Sequence, residues 1–111
     1  MRQTLDQLRA RYAARQVNSG IETWLLRLPQ MIRAYGLGQT LAFLLAEERA
    51  RPVHSALESW LCGRPDDDHP MRVYHGARGL LNQLRSGGRV QYQAAQQEAL
   101  ALAVWLKRLA E

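Results

Sequence analysis

One cysteine, one lysine, few β-branched residues and no long apolar run mark this chain of 111 residues. Cys62 has no second thiol to join, so an intrachain disulfide is excluded, and it falls in no metal-ligand spacing, which agrees with a reducing compartment. The longest unbroken apolar run, residues 99–106, is far short of the roughly 20 residues that a membrane-spanning helix needs. No charged-then-apolar signal segment opens the sequence, so a soluble, cytoplasmic protein with no membrane partner is expected. No window alternates with period two, and no repeat of about 20 to 50 residues is visible, which argues against strands and solenoids.

What is present is apolar surface and arginine. The hydrophobic fraction of 47% supplies a core, and the length suits a single domain over residues 1–111 that needs no metal or disulfide staple. Fourteen of the fifteen basic residues are arginine, a side chain whose planar fork grips phosphate with two hydrogen bonds and stacks on bases. Residues 1–36 carry +4, residues 71–111 carry +4, and the middle carries −3. Terminal helices packed side by side would merge the positive ends into one surface for a polyanion. The alternative is that the guanidinium groups pair with carboxylates such as Glu22 and Glu98, or solvate the backs of helices.

The pattern along the chain is helical throughout, and an all-α bundle of about five to six helices is expected. Leu5, Leu8, Tyr12 and Val17 line one side of a first helix over residues 2–17, which Asn18-Ser19-Gly20 ends. Leu25, Leu28, Ile32 and Tyr35 recur at three- and four-residue spacing, and Leu37, Leu41 and Leu44 resume the period beyond a Gly36-Leu37-Gly38 corner. Gly36 suits a left-handed helix end, and Gly38 a close approach of the next segment. Pro29 removes a donor inside the first pattern, which predicts a kink or a helix start there. Pro52 opens a further helix with Val53, Leu57, Trp60 and Leu61. Residues 63–68 read as a loop. Pro70 opens a fifth helix with Val73, Ala77, Leu80, Leu81 and Leu84 inward, which Ser86-Gly87-Gly88 ends. Tyr92, Ala95, Ala99, Leu102, Leu106 and Leu109 then step by three and four along a long last helix.

Catalytic groups in a recognisable spacing are absent. Asp66-Asp67-Asp68-His69 has consecutive carboxylates that point in different directions, unlike the spaced ligands and glycine of a calcium loop, and reads as an acidic turn. Cys62, His69 and His75 match no zinc spacing, His54 has no triad partners, and Gly87-Gly88 lacks the lysine and hydroxyl of a phosphate loop. No catalytic residue, metal or cofactor is therefore expected. Trp24, Trp60 and Trp105 lie on or beside apolar stripes, as core or subunit-interface anchors do, with base stacking the competing use.

Leu28-Pro29 with Met31-Ile32, then Gly36-Leu37-Gly38-Gln39-Thr40-Leu41-Ala42-Phe43-Leu44, and a closing Ala99-Leu100 followed by Trp105-Leu106-Lys107-Arg108 and Ala110-Glu111 carry a resemblance. In order, spacing and total length the chain resembles the small-subunit family of the type III-B CRISPR Cmr effector complex. Tyr35 stands where a small polar residue is expected in that family, and Leu109 where an aromatic is frequent. Both substitutions are expected on buried stripes. The resemblance implies a non-catalytic small subunit, several copies of which stack as a minor filament beside the backbone subunits. A basic surface of that filament would hold target RNA or the guide–target duplex. The implied partners are the backbone and large subunits, neighbouring copies, guide RNA and single-stranded target RNA. Cleavage of target RNA would belong to the backbone subunit, and nucleotide cyclisation to the large one. Arg27, before Leu-Pro, and Lys107 and Arg108, after Trp-Leu, are the first candidates for phosphate contact. Arg15, Arg33 and Arg78 follow on charge alone. The competing class is a helical protein–protein interaction module that binds an acidic partner and no nucleic acid.

Overall fold

The computed structural model describes residues 4–63, 73–74 and 79–111. Helix α1 spans Leu5–Gln16, α2 Glu22–Ala46, α3 Arg51–Cys62, α4 Leu80–Ser86 and α5 Arg89–Ala110, with a 3-10 turn at Glu48–Ala50 between α2 and α3. The architecture is all-α, and no strand occurs among the described residues. Helix α5 packs along α2 and α1 and also touches α3, so its inward stripe of Ala95, Ala99, Leu102, Ala103 and Leu106 forms the middle of the core. Small residues on that stripe let the helices come close, and leucines fill the space between them.

Local chemistry sets the helix ends. Thr4 Oγ1 accepts a hydrogen bond from the Gln7 backbone N–H at 3.1 Å, while Gln7 Oε1 accepts one from the Thr4 N–H at 2.8 Å. This reciprocal capping box starts α1 at Leu5 rather than at residue 2, and such a cap contributes about 1 kcal/mol. Asn18 Oδ1 accepts the Gly20 N–H at 2.9 Å and turns the chain toward α2. Helix α3 begins with Pro52 in its first turn, as the sequence predicts, and ends at Gly63, whose φ of 71° suits glycine.

The corner in α2 lies at Gly36 alone. Its φ of 83° and ψ of 163° are the only non-helical torsions inside Glu22–Ala46, in an extended positive-φ region open essentially to glycine rather than the left-handed helical conformation expected there. Pro29 is not a helix start, since the backbone torsions run helical through it. It is buried within the continuous first half, where one missing N–H removes a single hydrogen bond while the flanking turns hold the backbone helical. Beyond the corner the Leu37 and Gly38 N–H groups have no carbonyl a turn behind them. Gln96 Oε1 and Tyr92 Oη of α5 accept them, each at 3.0 Å. A Cβ on Gly38 would stand 3.3 Å from Tyr92 Oη, so the expected close approach at this glycine is present.

Three expectations change. Val73 and Tyr74 form a bend instead of helix, and α4 starts only at Leu80, after Gly79 at φ 71°. A positive φ cannot continue a right-handed helix, and the Leu80 N–H donates instead to Glu58 Oε2 of α3 at 2.9 Å. Tyr35 and Leu109 are exposed at 63% and 41%, not buried. Each closes its segment, one at the corner and one in the final turn, where no following turn of the same helix covers it. The sites at residues 66–69, His75, Ala77 and Arg78 lie outside the described residues.

Candidate nucleic-acid interface

Arginine has two fates in this fold. Arg9 of α1 is drawn inward by Glu98 of α5, a carboxylate only 4% exposed. Arg9 Nε and Nη2 each donate to that carboxylate at 2.7 Å, and Trp60 Nε1 of α3 donates to the same group at 2.8 Å. One buried negative charge thus ties three helices, and its lone pairs are taken up by charge-assisted bonds, the condition under which a buried ion pair is tolerated. The guanidinium pKa rises through this hydrogen bond, so Arg9 stays charged. Asp6 takes a longer contact from Arg9 at 3.4 Å and accepts Trp105 Nε1 at 2.9 Å.

The other fate is exposure. Arg33 in the first half of α2 meets Lys107 and Arg108 in the last turn of α5 around a shallow depression of about 200 Å³, floored by Pro29 and Val104 and closed by Glu111. All three cations are exposed, and none makes an ion pair among the described residues. Arg108 lies 5.8 Å from the centre of the Trp105 ring, within cation–π range. These three cations line one anion-sized hollow, with Glu111 the one carboxylate in its wall among the described residues. Such a site suits a phosphate.

Arg27 is placed elsewhere. It lies six residues before Arg33, about 120° around the helix, and lines a larger groove on the other flank of α2 with Trp24, Leu26, Met31, Tyr35 and Phe43. Arg15 is exposed in the last turn of α1 and borders neither hollow. The structure therefore brings together Arg33, Lys107 and Arg108, sets Arg27 and Arg15 apart, and leaves Arg78 outside the described residues. The two basic ends, residues 1–36 and 71–111, meet where Arg33 of α2 joins Lys107 and Arg108 of α5, whereas at the α1–α5 contact Arg9 is spent on Glu98. The signal for this was in the sequence, since Glu98 falls on the Ala95, Ala99, Leu102 stripe, where a carboxylate needs a buried cation.

Three further titratable groups among the described residues are buried. Cys62 is buried, and desolvation pushes its thiol up to about 11, which keeps it protonated and a poor nucleophile. Burial lowers the His54 pKa and raises that of Tyr74. His54 Nε2 and Tyr74 Oη are buried without a hydrogen-bond partner among the described residues. No group of three or more His, Cys, Asp or Glu side chains suited to a metal ion occurs among the described residues. No helix among them is long and apolar enough to cross a membrane. Trp60 is the core anchor expected of it at 1% exposure, stacked at 4.8 Å on Tyr12, whereas Trp24 is half-buried beside Phe43 at 5.8 Å.

By fold and charge the chain falls in the class of small all-helical proteins that gather unpaired cations at one edge, a surface chemically suited to an anion. The comparison with families is specific: a family model described as CRISPR-associated protein (Cas_Cmr5) matches residues 3–111. The chain belongs to this Cmr5 family, the small-subunit family of the type III-B Cmr complex. A crystal structure of a CRISPR-associated Cmr5 family protein from Thermus thermophilus is similar to it at 26% identity and a TM-score of 0.75, over 98% of this chain and 96% of that one. Among curated proteins nothing matches. Membership carries association with other Cmr subunits.

Proposed function

We propose that this chain is the non-catalytic small subunit of a cytoplasmic type III-B RNA-targeting complex, stacked with copies of itself in a minor filament whose basic surface holds target RNA or the guide–target duplex. The observation that carries this reading is the gathering of Arg33, Lys107 and Arg108 round one hollow, with no ion pair to any of them among the described residues. Sequence is read by pairing with the guide, so the protein needs phosphate contacts that are indifferent to base identity. Cations on two packed helices supply them without moving parts. Arg15 and Arg27 lie apart from this hollow and, with Arg78, remain candidates on charge. The absence of a recognisable acid–base or nucleophile spacing in the sequence supports a holding role, with strand cleavage left to neighbouring subunits.

The test is native recovery followed by titration. Pull-down of the tagged chain should bring a CRISPR RNA and the other Cmr subunits, and recovery of the chain alone would overturn the reading. Within the recovered complex, substituting Arg33, Lys107 and Arg108 by alanine should weaken single-stranded RNA retention equally for all sequences, with the salt slope falling by about 0.7 per lost contact.

A further inference from the structure

The groove on the far flank of α2 is not accounted for by RNA holding. It has a volume of about 700 Å³ and spans the Gly36 corner, with residues from both halves of α2 in its wall. Tyr35 and Phe43 are exposed at 63% and 46%, Leu26 at 41%, and Trp24 and Met31 are half-buried beside them. Aromatic residues, methionine and arginine together are the side chains enriched at protein–protein contacts, and several large apolar groups in one concave patch are costly to leave in water. We propose that this groove receives an apolar segment of another subunit of the Cmr complex, and that the segment carries an acidic side chain opposite Arg27.

Charge and placement choose that occupant. Among the described residues the groove wall contains one cation, Arg27, and no acid. Arg27 has no ion pair among the described residues, and an unopposed guanidinium at the edge of an apolar patch is complementary to a single carboxylate. A nucleic-acid strand would instead call for several cations along its length, and those cations lie on the opposite flank with Arg33, Lys107 and Arg108. The two flanks of α2 are thus chemically sorted, with phosphate-binding groups on one and protein-binding groups on the other. Gln30 and Gln39 in the groove wall add amide donors and acceptors for the backbone of an incoming segment.

The inference rests on the chain acting as a subunit of the complex, and its test separates the two. In the reconstituted complex with guide RNA, the photo-crosslinker p-benzoylphenylalanine replaces Tyr35, and adducts are identified by mass spectrometry. The expected product is a bond to one other subunit, within a peptide that holds large apolar residues and an Asp or Glu. In parallel, Phe43→Ala and Arg27→Glu are titrated for incorporation against the unmodified chain. Each is expected to lower apparent affinity for the complex by roughly tenfold or more, the scale of an interface anchor, while salt-dependent binding of RNA by the isolated Phe43→Ala chain survives. An adduct to RNA, an adduct between two copies of this chain, or full incorporation of both variants would each overturn the proposal. If the unmodified chain itself fails to enter the complex, it is the subunit assignment that falls.

Discussion

The α1–α5 seam and the α2–α5 edge both contain arginine beside the last helix, yet they do opposite things with it. At the seam Arg9 meets a carboxylate buried in the core stripe, and its charge is consumed in joining α1, α3 and α5. At the edge Arg33 meets Lys107 and Arg108, with Glu111 as the sole carboxylate in the wall among the described residues, and no ion pair among those residues takes up the charges. The difference lies in where the acid stands. Glu98 is on the inward stripe, where leaving it alone is costly, so it captures a cation, while the outer face of α5 carries no acid until Glu111. Counting arginines therefore overstates the binding surface, and locating the buried acids corrects the count.

The comparison can be broken by removing its central charge. Glu98→Ala removes the two short bonds of the Arg9 guanidinium, leaving it the 3.4 Å contact to Asp6, together with the acceptor of Trp60 Nε1, and should destabilise the fold by about 3–5 kcal/mol, read by urea denaturation. Restoring half the stability with Arg9→Met in the same chain would sharpen the contrast, because the penalty is for an orphaned charge. A value under about 1 kcal/mol for Glu98→Ala would show that the seam is not held this way.

Next in size is the corner that aims α2. Gly36→Ala forces a Cβ into an extended positive-φ conformation and should cost about 1–3 kcal/mol, with Gly38→Ala as the milder companion since only Tyr92 Oη must yield. Thermal melts of the two variants give the order. Smaller still, on stability, is the edge itself. Arg33→Ala, Lys107→Ala and Arg108→Ala together should change unfolding by no more than about 0.5 kcal/mol while lowering the RNA salt slope by about 2. A large stability loss there would make the edge structural like the seam.

At neutral pH the least effect is expected from the ionisation of Cys62. Its pKa in the fold lies near 11 against an ordinary 9.0 because burial disfavours the thiolate, so the unfolded chain releases the proton first. Stability is then unaffected below pH 9 and falls as pH rises from about 9 to about 11. Cys62→Ala should flatten that part of the profile, and at pH 8 the native thiol should react with a disulfide reagent only as fast as the chain opens.

The helical pattern was legible wherever an apolar stripe ran for several turns. Leu25, Leu28 and Ile32, then Leu37, Leu41 and Leu44, are all buried as their spacing requires, and so are Ala95, Ala99, Leu102 and Leu106. Boundaries set by single hydrogen bonds were harder to read. The Thr4 and Gln7 cap shortens α1, and Gly79 delays α4. The phosphate candidates were legible as charges but not as neighbours: Lys107 and Arg108 are adjacent in the chain, whereas Arg33 joins them only because α2 lies against α5. Arg27, close to Arg33 in sequence, is lost to the other flank by helical phase.

Periodicity, glycine at the corner, the single cysteine and the surplus of arginine are properties of the chain, and they determine that it forms packed helices with a positive exterior and no disulfide. Which arginines remain free was decided by tertiary structure. A salt bridge such as Arg9 to Glu98 links positions 89 residues apart, and local sequence contains no information on a pair that forms only when α1 folds onto α5. Burial makes that pair costly to break, and the same packing leaves Arg33, Lys107 and Arg108 at the edge with their charges unspent.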